Sequence, residues 1–264
     1  MNYETALQSA ILSQEVYQSF ASNRFSAWQN TQPTFVEQAT TDTQLAILAE
    51  PAAPLAVIAF RGSDAEQDWN TNTQLGQQEY DWTVRQAYRA QVKDVVTDTV
   101  MEEKALVYPD AYGEPSRPVK MHSGFISAYL SVRAQIHDYV HTSPATQYRT
   151  TGHSLGGALA ALCAIDLQYN FGQRITVESY TFGSPRVGNA AFAESYNRRV
   201  PHTWRVVHGW DLVVGLPRPW QGYRHVDQAV KLDRGFTWRI ITGSFDDHRI
   251  DRYIGALKDQ LGRR

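Results

Sequence analysis

The stretch TGHSLGGALA, Thr151 to Ala160, follows the strand-like run YRT and leads into the small-residue apolar run ALAALCAIDL. A strand that feeds a helix through Gly-His-Ser-Leu-Gly is a G-x-S-x-G elbow. The serine occupies a strained turn, and the flanking glycines let helix and strand approach without a Cβ clash. Ser154 would then face the carboxyl end of a strand, over a helix N-terminus whose dipole favours developing negative charge. Such an elbow belongs in an α/β protein whose sheet is mainly parallel.

The rest of the chain agrees with that reading. Apolar runs predict strands at Gln44–Leu48, Leu55–Phe60, Tyr148–Gly152, Ile175–Phe182, Trp204–His208 and Arg224–Leu232. Helical spacing predicts helices over Gly124–His141, Leu155–Asn170, Asn189–Arg198 and Asp247–Leu261, and an amphipathic helix at the start that includes Tyr3, Leu7, Ile11 and Tyr17. Strands and helices alternating over most of the length imply a central sheet covered on both faces. With neither a repeat nor a low-complexity linker, 1–264 reads as a single domain.

One segment departs from the alternation. From Gln78 to Lys104 the apolar residues Val84, Tyr88, Val92, Val95 and Val100 recur at helical spacing, and VYPDAYGEPSRPVK follows with three prolines. A helical insertion over about 76–120 is therefore expected. Tyr80, Trp82, Val84, Tyr88 and Val92 would form a lid over the site, or an extra helix packed permanently on the core.

Composition limits the function classes. Lys and Arg number 25 against 27 Asp and Glu, a formal charge of −2, so no positive field exists for tracking a phosphate backbone, and nucleic acid is not an expected partner. Cys163 is the single cysteine and sits in an apolar run, which excludes a disulfide framework and a multi-thiolate metal site. The opening MNYETALQSAILSQEVYQSF lacks a basic n-region and an unbroken apolar run, so no signal peptide is expected. No apolar stretch is long enough to span a membrane. His137 and His141 stand four apart on a helix, but no third ligand pattern accompanies them, so no metal is expected.

Five motifs, in order, carry a further reading. FRGS (Phe60–Ser63), HSGF (His122–Phe125), GHSLGGALA (Gly152–Ala160), FGSPRVGN (Phe182–Asn189) and the D-x-V-x-x-L-P pattern of Asp211–Pro217 together resemble the class 3, fungal-type lipases. That resemblance implies an α/β-hydrolase fold and hydrolysis of carboxylic esters, mostly acylglycerols and phospholipids, without a cofactor. It implies Ser154 as nucleophile, Asp211 as the carboxylate of a triad, and His248 in DDHRIDRY as general base. It further implies the Leu155 backbone N–H and Ser63 as the oxyanion donors. The order Ser, Asp, His is that of hydrolase folds.

Other residues compete for each role. His153 lies inside the elbow and is expected to point away from the nucleophile, in packing. His225 falls in a strand pattern, and His122 and His208 match motif positions of structural type. Asp227 lies within a strand pattern rather than after one, and Asp233 in the turn beyond it. Arg61 and Arg186 are expected to be structural ion-pair residues. The expected substrate is a small-molecule or lipid ester, with transient contact at a lipid–water interface. Phospholipase A and aryl or feruloyl esterase share the machinery and remain open, as does a non-catalytic binding protein on the same scaffold.

Overall fold

The structure is a computed structural model that describes residues 1–21, 24–29, 31–49, 53–62, 119–232 and 246–263, and the backbone of 101–103. Its centre is a seven-stranded sheet with spatial order β1-β2-β3-β6-β7-β9-β11. The strands are β1 (Thr34–Gln38), β2 (Thr43–Ala49), β3 (Leu55–Phe60), β6 (Gln147–His153), β7 (Thr176–Phe182), β9 (Thr203–His208) and β11 (Ala229–Leu232). The first three pair antiparallel, and everything from β3 to β11 is parallel.

Parallel strands are buried on both faces, which is why LAVIAF reads as a continuous apolar run rather than an alternation. Their register is unbroken: Leu55–Phe60 lies beside Gln147–Gly152, and Gln147–His153 beside Thr176–Phe182. A second, four-stranded sheet, ordered β10-β8-β5-β4, joins β10 (Tyr223–Arg224), β8 (Gly188–Asn189), β5 (Lys120–His122) and β4 (Met101–Glu103).

Helix α1 (Tyr3–Glu15) starts where the Asn2 side chain accepts the Glu4 and Thr5 N–H groups. With α5 (Ile250–Gly262) it covers one face of the sheet. Ala6, Ala10, Tyr180, Phe182, Val206, Ile254 and Leu257 form the core there. On the other face lie α2 (Ser123–Thr142), α3 (Leu155–Phe171) and α4 (Ala190–Arg199). Helix α3 is buried on nearly every side along Gly156–Leu167 because it sits between the sheet and α2, in the larger core cluster. Cys163 lies on it, buried, and burial with the nearby Asp166 charge pushes its thiol well above the ordinary range.

A polar network crosses this core. The Asp166 carboxylate, fully buried on α3, accepts from Tyr129 at 2.6 Å, from Arg133 at 2.9 and 3.1 Å, and from His137 at 2.7 Å, all on α2. Burial by itself would raise this carboxyl, but the bonds from His137, Arg133 and Tyr129 outweigh it and hold it below its ordinary value. His137 thus hydrogen-bonds across the α2–α3 interface.

Two stretches differ from their expected form. Arg224–Leu232, expected as one strand, is two short ones in different sheets. Between them Gln228 takes φ 63° and its side chain donates to the Pro201 carbonyl, so no single ladder can continue. Within Gln78–Lys104, expected as a helix, the backbone of Met101–Glu103 instead pairs antiparallel with Lys120–His122, where strand pairing prevails over helical spacing. Tyr80, Trp82, Val84, Tyr88 and Val92, with most of the expected insertion over 76–120, lie outside the described residues.

Candidate active site at the carboxyl ends of the parallel strands

Ser154 stands between β6 and α3 at φ 57°, ψ −127°, a backbone conformation that L-residues avoid. The turn is held by its own N–H, which donates to the Phe182 carbonyl at 2.9 Å. Gly156 is what lets the helix sit so near the sheet: a Cβ there would lie 2.4 Å from the Phe60 carbonyl oxygen.

From that turn the Ser154 hydroxyl donates to His248 Nε2 at 2.9 Å, and His248 Nδ1 donates to Asp211 Oδ2 at 2.8 Å. All three side chains are buried. Asp211 comes from the segment just past β9, and its carboxylate is fully engaged. Oδ1 accepts the Val213 N–H at 2.9 Å, and Oδ2 accepts the Tyr253 hydroxyl as well as the imidazole. Burial, followed by the Asp211 charge, pushes the Tyr253 phenol well above its ordinary value, so Tyr253 stays protonated and remains a donor.

Two further side chains, those of Asp247 and His153, align these groups without bonding to the Ser154 hydroxyl. Asp247 is buried and its Oδ2 accepts the Trp210 N–H at 2.9 Å. The residue before His248 is therefore fixed to the residue before Asp211, which brings imidazole and carboxylate into line. His153, expected to point away from the nucleophile, does so. Its Nε2 donates to the backbone carbonyl of His248 at 2.6 Å, and its Nδ1 lies 3.4 Å from the Tyr17 hydroxyl. Packing is thus only part of its role, because it also holds the loop that carries His248.

Gly183, directly after β7, closes the floor of the site. It sits at φ +59°, and a Cβ there would lie 2.8 Å from Asp211 Oδ2 and 2.9 Å from the His248 ring. Nothing in FGSPRVGN alone indicates that the glycine borders an imidazole and a carboxylate.

Leu155 is the first residue of α3, so its N–H has no carbonyl four residues back within the helix and faces the same end as the Ser154 hydroxyl. Ser63 lies outside the described residues; Phe60, Arg61 and Gly62 lead up to it, at the end of β3. Arg61 bonds to the Gln44 side chain.

Other sequence candidates are placed elsewhere. His122 caps α2, accepting the Phe125 N–H at 3.4 Å, and His225 donates to the Val214 carbonyl at 2.7 Å. His208 lies against Asp247, with Nδ1 3.7 Å from its carboxylate. Arg186 donates to the Gly215 and Pro217 carbonyls at 2.6 and 2.8 Å, so it braces a loop rather than forming the expected ion pair. Among the described residues, no group of three or more His, Cys, Asp or Glu could hold a metal ion.

The fold is shared with solved lipases. Lipase II from Rhizopus niveus superposes with a TM-score of 0.69 at 21% identity, covering 93% of this chain and 92% of that one. A Rhizomucor miehei lipase propeptide complex gives 0.65 at 23% identity, covering 88% and 67%. Likeness at this identity establishes the α/β-hydrolase fold. In sequence, the chain is 39% identical over 119 residues to a secreted mono- and diacylglycerol lipase 1 of Fusarium solani, covering 44% of this chain and 35% of the relative. It is 36% identical over 122 residues to a lipase of Rhizomucor miehei, covering 43% and 33%. The chain thus spans about a third of the length of these two curated relatives. Residues 57–220 match the family model described as lipase (class 3), more than half of the chain, and the protein belongs to that family.

Proposed function

We propose that the protein is a serine carboxylic ester hydrolase acting on acylglycerols or related lipid esters through an acyl-enzyme. The observation that carries this reading is the buried hydrogen-bonded run from Ser154 through His248 to Asp211, with the serine on a strained turn at a helix N-terminus. The substrate class rests on family membership and on relatives described as mono- and diacylglycerol lipases.

In this mechanism Ser154 Oγ attacks the ester carbonyl carbon while His248 Nε2 takes the hydroxyl proton. The carbonyl π pair moves onto oxygen, and the resulting oxyanion is met by the Leu155 N–H at the positive end of α3, with Ser63 as second donor. Collapse of the tetrahedral species breaks the C–O bond to the alcohol, which leaves with the proton returned by His248. Water then attacks the acyl-enzyme with the same proton traffic, releasing the carboxylic acid and restoring Ser154. Asp211 keeps Nδ1 protonated, so that Nε2 faces the serine as an acceptor, and it stabilises the imidazolium that forms. Tyr253 and the Val213 N–H hold that carboxylate in place.

The test is Ser154→Ala on a chain-length series of p-nitrophenyl esters, on a diacylglycerol emulsion and on a phospholipid. Turnover on the preferred ester should fall by about 10⁴-fold or more. Undiminished turnover would eliminate the mechanism, and preference for the phospholipid would reassign the substrate.

A further inference from the structure

Outside the active site, β9 presents a second chemical feature. Thr203, Arg205 and Val207 alternate with Trp204, Val206 and His208, so the two sets lie on opposite faces of the sheet. Trp204 and Val206 pack under α1 and α5. Arg205 points to the other face, where it lines a pocket of about 350 Å³ together with Arg186, Arg224, His225 and Asp227. The volume falls within the usual range of small-molecule sites, roughly 300 to 1,000 Å³.

Arg205 is only 8% exposed. Its Nε donates to the Val226 carbonyl at 3.4 Å, and among the described residues no other bond or ion pair engages its guanidinium. Arg186 spends its bonds on two carbonyls, and Arg224 is exposed at the rim. Among the described residues no ion pair joins any of the three to a carboxylate. Asp227 lines the pocket but is exposed, and it leaves an excess of positive charge.

The groups register that excess. Burial first, and then the Arg186 charge, lowers Arg205 to about 10. Burial, then Arg205 and Arg186, lowers His225 to about 3, so its imidazole is neutral at physiological pH and adds no further charge to the cluster. Burying a charge without a partner is costly, and a guanidinium offers paired N–H donors whose geometry matches an oxyanion. Three guanidiniums reach the pocket from separate elements: β9, the turn after β7, and β10. They can surround a tetrahedral anion, which accepts from several directions, better than a planar one.

We propose that the pocket bounded by Arg205, Arg186 and Arg224 is a binding site for an oxyanion of the phosphate class, either as free phosphate or as the phosphate of a lipid headgroup. The site is separate from Ser154 and does not depend on the hydrolase reading.

The test titrates the full chain with inorganic phosphate by calorimetry, with ionic strength held constant by sodium chloride. Saturable binding is expected. Arg224→Gln, at an exposed position, should weaken it about tenfold, the effect of losing one charged hydrogen bond. Arg205→Gln should abolish it, with folding verified by circular dichroism; should that variant not fold, Arg224→Gln carries the test alone. Lys258→Gln, exposed on α5, should leave affinity unchanged. No binding beyond that of chloride, unchanged affinity in the folded arginine variants, or equal weakening by Lys258→Gln would each overturn the proposal. Sedimentation with phosphatidylcholine vesicles, with and without phosphatidic acid, separates the sources. Retention on phosphatidic acid that phosphate competes away identifies a headgroup, and phosphate binding without retention identifies the free ion.

Discussion

His153 Nε2 lies 2.6 Å from the backbone carbonyl oxygen of His248, so the residue beside the nucleophile steadies the residue that would take its proton. His153→Phe would keep a ring in that space and remove the donor. The expected result is a fall in kcat of about ten- to a hundredfold with KM little changed, since small displacements of a catalytic group cost rate rather than binding. Steady-state kinetics on a soluble ester separates the two parameters, and a loss confined to KM would contradict the positioning role.

Gly183→Ala should abolish turnover more completely than its size suggests. The new methyl would need the space of the His248 ring and the Asp211 carboxylate, at a backbone φ of +59° that alanine resists. An active-site titration with a fluorophosphonate should show labelling of Ser154 slowed by about a hundredfold or more. Normal labelling would mean that the loop yields easily.

Stability should depend on Asp166 in a pH-dependent way. Asp166→Asn leaves Arg133 and His137 facing a neutral amide, and breaking a buried pair of this kind costs about 3 to 5 kcal/mol at pH 7. Because the folded carboxyl titrates below its ordinary value, its contribution is complete above that value and is lost as pH falls through the lower, folded one. Urea unfolding at pH 7 and pH 3 should therefore show the gap between wild type and variant narrowing in acid.

Alkali should act through Tyr196. Burial raises its phenol to about 12, so the unfolded chain loses this proton near pH 10 while the folded one retains it. Stability falls as pH rises between those values, by about 2 kcal/mol at pH 11.5 from this residue alone. Tyr196→Phe should show a correspondingly flatter decline in denaturant midpoint between pH 9 and 11.5.

Local patterns made most of the sheet and helices legible. LAVIAF is β3 as read, and Leu155–Asn170 is helical to within a residue. The short strands β5, β8 and β10 escaped because two or three residues carry no periodicity, and they exist through pairing with partners far along the chain. β1, half exposed at the sheet edge, is similarly weak in sequence. At the site, the G-x-S-x-G elbow pointed to Ser154, and the resemblance to class 3 lipases pointed to Asp211 and His248. The supports were not legible: Tyr253 on Asp211, Asp247 on Trp210 and His153 on the His248 carbonyl are contacts across long separations that no spacing rule encodes. The expected role of Ser63 concerns a residue outside the described ones.

Cys163, sealed in α3 with its thiol held well above the ordinary range, makes the protein a quiet background for thiol chemistry. Maleimide should leave the folded chain unlabelled. A cysteine introduced at Trp220, which is 80% exposed, would then be the single reactive position among the described residues, and a fluorophore placed there could report on its surroundings while ester is added, with no native residue to remove first.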